Sequence, residues 1–161
     1  MKTGQLLPAL AASAALALGV WTAPASAQDD GFYLGILGGV LLEGGDSGPV
    51  VSKLVGFNVV NGDLVLGAEG EALANYWIDD TWYGLLSARG RVGLQVTDDL
   101  LLYGTAGFGV WSSNVTATMI GGGGEFGLGD AWSGRIDVQG LLYGGGDTGV
   151  LARGGVVWHP Y

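Results

Sequence analysis

Few side chains in this sequence could do chemistry, and most of those that could are charged residues embedded in apolar segments. Arg89 and Arg91 stand one residue apart, and Glu69 and Glu71 repeat that spacing earlier in the chain. Glu125, Arg135, Asp137 and Arg153 follow in the same pattern of alternation with apolar residues. Arginine's planar fork can bond a carboxylate twice, so this set points to ion pairing in a crowded interior. One histidine, His159, and no cysteine exclude ordinary zinc or copper sites. Only weak carboxylate sites for calcium or magnesium remain. The Gly121–Gly124 run is no phosphate loop, because no Gly-Lys-Ser/Thr follows it. No cofactor is expected.

The elements that must position these charges are strands. Turn-forming clusters recur at Glu43–Pro49, Asn61–Asp63, Ile78–Thr81, Thr97–Asp99, Ser112–Asn114, Leu128–Asp130 and Gly144–Asp147. Asn, Asp and Gly tolerate the left-handed backbone of tight hairpins. The seven turns leave eight segments of roughly 10 to 14 residues, about what a tilted strand needs to cross a bilayer. One parity of 83–97 is apolar, whereas the other carries Arg89 and Arg91. The same holds for 64–77 with Glu69 and Glu71, and for 132–143 with Arg135 and Asp137. Strands 31–42, 49–60 and 115–127 alternate less cleanly, and their facing stays open.

Two solvents fit such strands: a secreted sandwich with its charges in water, or a membrane barrel with its charges in the lumen. The distribution of charge favours the barrel. Many of the acids lie in turns, and the basic residues Lys53, Arg89, Arg91, Arg135 and Arg153 all lie within strands. Residues 1–27 read as a secretory signal peptide: Lys2, an apolar run, then Ala25-Ser26-Ala27. Residues 28–161 form the expected mature domain, an all-β, eight-stranded antiparallel up-and-down transmembrane β-barrel. Its net charge of −9 over the whole chain argues against nucleic acid as a partner.

Residues 83–111, YGLLSARGRVGLQVTDDLLLYGTAGFGVW, resemble the central hairpin of the porin-family, opacity-protein-like outer-membrane barrels of Gram-negative bacteria. Gly90, Gly93, Gly104 and Gly107 fall where that pattern has glycine. The resemblance implies the bacterial outer membrane, contact with its lipids and lipopolysaccharide, and insertion by the barrel-assembly machinery. It brings no catalytic residues. The terminal aromatic that serves as assembly signal in that group would be Tyr161, although Pro160 departs from the pattern by removing a ladder donor.

Register arithmetic then proposes partners. A hairpin centred on Asp80 sets Glu71 opposite Arg89 and Glu69 opposite Arg91. One about Asp98 sets Arg91 opposite Thr105. Centres near Asp130 and Gly145 set Glu125 opposite Arg135 and Asp137 opposite Arg153. Gly93, Gly107, Gly121 and Gly123 either make room for these long side chains or permit barrel curvature. Trp77, Trp82, Tyr83 and Trp111 are expected to border the outer loops, with Trp132 and Trp158 near the periplasmic ends. Outer acids Glu43, Asp46, Asp79, Asp80 and Asp147 either bind divalent cations shared with lipopolysaccharide or keep the loops hydrated.

The functional expectation is a non-enzymatic barrel with a salt-bridged polar lumen and a structural, envelope-integrity role. The alternative is a narrow porin-like channel for ions or very small solutes. A lipid-modifying enzyme would need a nucleophile beside His159, and no hairpin drawn from the sequence puts a serine there. A soluble lipocalin-like carrier would need an apolar lumen, which the mid-strand charges oppose.

Overall fold

The computed structural model describes residues 30–76, 81–129 and 131–160. The expected signal peptide, Trp77, Asp79, Asp80, Asp130 and Tyr161 lie outside these residues. Eight strands follow one another: β1 (Gly31–Glu43), β2 (Asp46–Asn61), β3 (Leu64–Tyr76), β4 (Trp82–Thr97), β5 (Leu100–Trp111), β6 (Thr116–Gly129), β7 (Trp132–Tyr143) and β8 (Thr148–Trp158). Each pairs antiparallel with the next, and β8 pairs with β1 to close the barrel.

Closure leaves no free strand edge. The register also fixes the barrel's shape. A path from Gly31 runs across the ladders through Asn58, Gly67, Arg91, Thr105, Gly121, Gln139 and Leu151. It returns to β1 at Leu41, ten residues beyond its start. Such a stagger tilts the strands by about 35–45° and leaves an interior that side chains can fill.

Local chemistry explains the strand limits. The first turn is only Gly44-Gly45, with φ of 60° and 93°, the mirror-image turn that glycine adopts at no steric cost. So tight a turn lets β2 begin at Asp46, and the expected loop through Pro49 is strand instead. Pro49 has no amide hydrogen to give the ladder, and its carbonyl accepts a hydrogen bond from the Asn75 side chain at 3.1 Å.

Strand alternation divides the chain into two surfaces. Outward stand Phe32, Leu34, Ile36, Val55, Phe57, Leu86, Val92, Leu94, Phe108, Ile136 and Val138, all exposed. Inward residues form three layers. Leu41, Val50, Leu73, Leu85, Met119, Leu141 and Leu151 close the end that holds the Gly44-Gly45 turn. Tyr33, Leu37, Leu54 and Val157 pack in one cluster toward the other end, and Val65, Leu101 and Tyr103 in another. The charges occupy the middle. The three strands of open facing are settled by the same pattern: Tyr33 and Leu37, Ser52 and Leu54, and Met119 and Glu125 all point in.

Candidate functional site: the charged lumen

The inward parity of β3, β4, β6, β7 and β8 brings Glu69, Glu71, Arg89, Arg91, Glu125, Arg135, Asp137 and Arg153 into one cluster. Their side chains are 0–1 % exposed. Burying unpaired charge at this depth costs several kcal/mol per ion, roughly, so each must be met by a partner. Glu69 is the hub. It takes two bonds from the Arg135 fork, at 2.7 and 3.0 Å. It also takes Arg89 at 2.9 Å, a hydrogen bond from the Tyr33 hydroxyl at 2.6 Å, and Arg91 at 3.5 Å. Strands β3 and β7 stand four places apart in a ring of eight, so the Glu69–Arg135 pair spans the lumen.

The remaining acids complete the net. Glu71 pairs with Arg89 at 2.8 Å and with Arg153. Asp137 holds Arg153 at 3.0 Å and lies 3.5 Å from Arg135. Glu125 takes Arg91 at 2.7 Å. Tyr103 lies between two of the cations, its ring centre 4.0 Å from the Arg91 guanidinium carbon and 4.7 Å from that of Arg135. An electron-rich face toward each cation eases the crowding of like charges.

Three of the proposed registers agree with the ladders: Arg91 opposite Thr105, Glu125 opposite Arg135, and Asp137 opposite Arg153. The β3–β4 register differs by two residues. Glu69 stands opposite Arg89, Glu71 opposite Ser87, and Arg91 opposite Gly67. The Tyr76–Trp82 pair that flanks this hairpin centres it on residue 79 rather than 80. An even slip keeps every side chain on its own face, so the charges still converge. Standing opposite is also not the same as bonding. Glu125 reaches to Arg91 and Arg135 to Glu69, each bridging strands that are not neighbours.

Glycines accompany the arginines one for one. Arg89 faces Gly107, Arg91 faces Gly67, Arg135 faces Gly155 and Arg153 faces Gly39. A methyl group on Gly107 would lie 2.8 Å from Arg89 Cγ, and one on Gly39 would lie 2.9 Å from Arg153 Cγ. At Gly39 and Gly107 a methyl group would crowd both the neighbouring backbone and the arginine stem, whereas at Gly67 and Gly155 it would first meet Asn58 and the Ile36–Leu37 segment rather than the arginine. Tyr33 is housed likewise, beside Gly56.

Some inward residues escaped the sequence reading. Trp111 and Tyr83 border a turn, as expected, but strand parity turns them into the lumen rather than outward. Trp82 with Tyr76 at one end, and Trp132 opposite Trp158 at the other, do face out. Ser133 lies 3.1 Å from His159 Nε2, contrary to expectation. The β7–β8 register pairs Ser133 with Val157, two residues from His159 on the same face. Parity alone could have found this contact. A catalytic relay needs serine and acid on opposite ring nitrogens. Here Glu125 Oε1 is 3.0 Å from that same Nε2, and the Ser133 hydroxyl donates to it at 2.6 Å. Among the described residues, no group of His, Asp or Glu is arranged to hold a metal ion. Lys53 is the remaining basic strand residue. It points outward, exposed, between Ile36 and Ala72 on neighbouring strands.

No family model matches the chain, and no curated protein sequence does. Solved structures do resemble it. A de novo designed transmembrane β-barrel superposes with a TM-score of 0.56 at 17 % identity, covering 81 % of this chain and 97 % of the design. The outer membrane protein Ail of Yersinia pestis, determined in a phospholipid bilayer nanodisc, superposes with a TM-score of 0.50 at 13 % identity. That match covers 79 % of this chain and 98 % of Ail. At these identities the likeness is one of fold.

Proposed function

We propose that this chain is a non-enzymatic barrel of the Gram-negative outer membrane, sealed through its middle, whose role is structural. The carrying observation is the lumen: paired charges bridge it from wall to wall, between apolar layers on either side. An ion crossing it would have to displace buried salt bridges and pass the apolar clusters on either side of them. The outward surface supports a lipid surround, because exposed apolar side chains cover it along the length of the strands. Outward Trp82 and Tyr76 at one end, and Trp132 and Trp158 at the other, suit the two lipid–water interfaces. The partners of such a protein are outer-membrane lipids and lipopolysaccharide, and the assembly machinery during insertion. The Arg-Gly-Arg hairpin motif supports a place beside the opacity-protein-like group.

Planar-bilayer recording of the refolded mature chain tests this reading, with an Arg89→Ala/Arg91→Ala variant alongside. The expected result is a silent wild type and a variant that conducts or fluctuates. Steady unitary conductance in the wild type would overturn the sealed barrel and make the charges a selectivity filter. A chain that stays monomeric in buffer and ignores lipid would overturn the membrane assignment.

A further inference from the structure

Strand parity divides the glycine run of β6. Gly121 and Gly123 face the lumen, where added methyl groups would crowd the Gln139 stem and the Tyr103 hydroxyl. Gly122 and Gly124 face out, so β6 offers no side chain at two successive outward positions. The result is an open groove of about 320 Å³ on the outer wall. Val138 and Ile136 on β7 stand opposite these two glycines and form one side. Leu100 on β5 and its partner Phe126 bound the end nearer the start of β1 and the finish of β8. Asp137 contributes only backbone, because its carboxylate is in the lumen with Arg153. The side chains that line the groove are therefore hydrocarbon.

Two features set this groove apart from the rest of the outward surface. The first is its depth. Val138 lies six residues along β7 from outward-facing Trp132. For a tilted strand that is about 15 Å, half of a hydrocarbon core roughly 30 Å thick. Trp132 and Trp158 suit the lipid–water interface at that end, so the groove spans one leaflet. The second is charge at its foot. Asp98 and Asp99 are exposed in the β4–β5 turn, immediately before Leu100. The Gly127 N–H donates to the Asp99 carbonyl at 3.0 Å, which holds that turn beside β6. Among the described residues no arginine or lysine answers these acids. The four arginines are buried in the lumen, and Lys53 is on β2, four strands from β6 round the ring.

We infer that this groove holds one phospholipid whose headgroup carries a primary ammonium, with an acyl chain along Gly122 and Gly124 and the ammonium at the Asp98–Asp99 turn. The inference rests on the membrane reading above. A recess gives an acyl chain contact on its flanks as well as its floor, which a smooth barrel wall does not. Carboxylates at the foot attract an ammonium and repel an anionic headgroup. A second copy of the chain fits less well. Its outward surface has one lysine, Lys53, set among apolar residues at the middle of a strand, and no cation at a strand end to meet the acids.

The test is native mass spectrometry of the refolded mature chain released from micelles that contain equal amounts of phosphatidylethanolamine and phosphatidylglycerol with identical acyl chains. The expected result is one retained lipid, mainly phosphatidylethanolamine. Gly124→Leu fills the recess and should cut retention about fivefold or more. A methyl group at that position first meets the Leu102 side chain, at 3.4 Å, so the barrel should accept the change, and an unchanged urea midpoint will show it. Asp98→Asn/Asp99→Asn alters only an exposed turn and should leave a lipid bound while equalising the two headgroups. Equal retention of both lipids by the wild type, full retention in Gly124→Leu, or a headgroup preference that survives the loss of both acids would each overturn the assignment. So would a dimer free of lipid. A barrel that inserts into vesicles yet retains no lipid overturns the groove alone, whereas a chain that ignores lipid altogether overturns the membrane reading with it.

Discussion

Strand β4 carries two surfaces that answer opposite demands. Inward, Arg89 and Arg91 are held by Glu69, Glu71 and Glu125, each arginine seated against a glycine on a neighbouring strand. Outward, Ala88, Gly90 and Val92 meet no charge at all. The inner surface tolerates charge because partners and space were provided together. The outer surface provides neither, so a charge there has only solvent or lipid to answer it. Lys53 is the strand residue that breaks this division. It sits midway along β2, exposed and facing out, whereas its neighbours Ser52 and Leu54 are buried inside.

The sharpest way to break the inner surface is to remove its hub. Glu69→Ala leaves Arg135 without its two-point partner and takes one bond each from Arg89, Arg91 and Tyr33. Stranding a buried cation by deleting its partner costs about 3–5 kcal/mol. The expected outcome is a large fall in the urea midpoint of the refolded barrel. Asp137→Asn should cost less, because Arg153 keeps Glu71 and Arg135 keeps Glu69. Equal losses for the two variants would mean that the net shares its load and has no hub.

The outer surface gives the next effect, of opposite sign. A lysine facing lipid at the midplane costs about 2–4 kcal/mol, and the cost falls toward zero at the interfaces. Lys53→Leu should therefore stabilise the barrel in phospholipid vesicles, with a smaller gain in detergent micelles, where the long stem can bring its amine to water. An unchanged midpoint in vesicles would mean that Lys53 does not meet hydrocarbon, and the lipid boundary would have to be redrawn around it.

How much of this was legible in the sequence depends on what each feature rests on. Strand number and the facing of β4, for example, follow from period two and from turn residues, both local properties. Arg89 and Arg91 are alike odd-numbered among apolar even positions, so their direction could be read directly. The β3–β4 register could not, because it is set by a five-residue connection between Tyr76 and Trp82 whose centre the sequence does not mark. Contacts across the ring were harder still. Glu69 and Arg135 are 66 residues apart, and nothing local says that they meet. They do so because closure with a stagger of ten brings β3 and β7 face to face at that height. Ser133 and His159 show the reverse case: adjacent strands, the same parity and a short turn made their meeting readable, and it was passed over.

The smallest effect compares two glycines of β5 that differ only in the surface they serve. Gly104 faces out, and a methyl group there would come no closer than 3.8 Å to another strand, at the Gly121 carbonyl. Gly107 faces in, and a methyl group there would press on the Ala88 carbonyl and come within 2.7 Å of Arg89 Cα. Those are backbone atoms, so relief requires β4 itself to shift. Glycine within a strand costs about 0.5–1 kcal/mol relative to alanine through its greater freedom when unfolded. Gly104→Ala should recover part of that and raise the urea midpoint slightly. Gly107→Ala gains the same entropy but must also overpack the lumen, at about 1–3 kcal/mol, so its net effect should be a loss. The sign therefore has to differ between two positions three residues apart on one strand. Glycine serving as a general relief of strain along the strand would make both substitutions costly, whereas glycine serving the close inward approach of β4, its backbone and the Arg89 stem together, makes only the inward one so. A lowered midpoint in Gly104→Ala matching that in Gly107→Ala would mean that glycine serves both faces of the strand alike, and would remove close approach inside the lumen as the reason for Gly107.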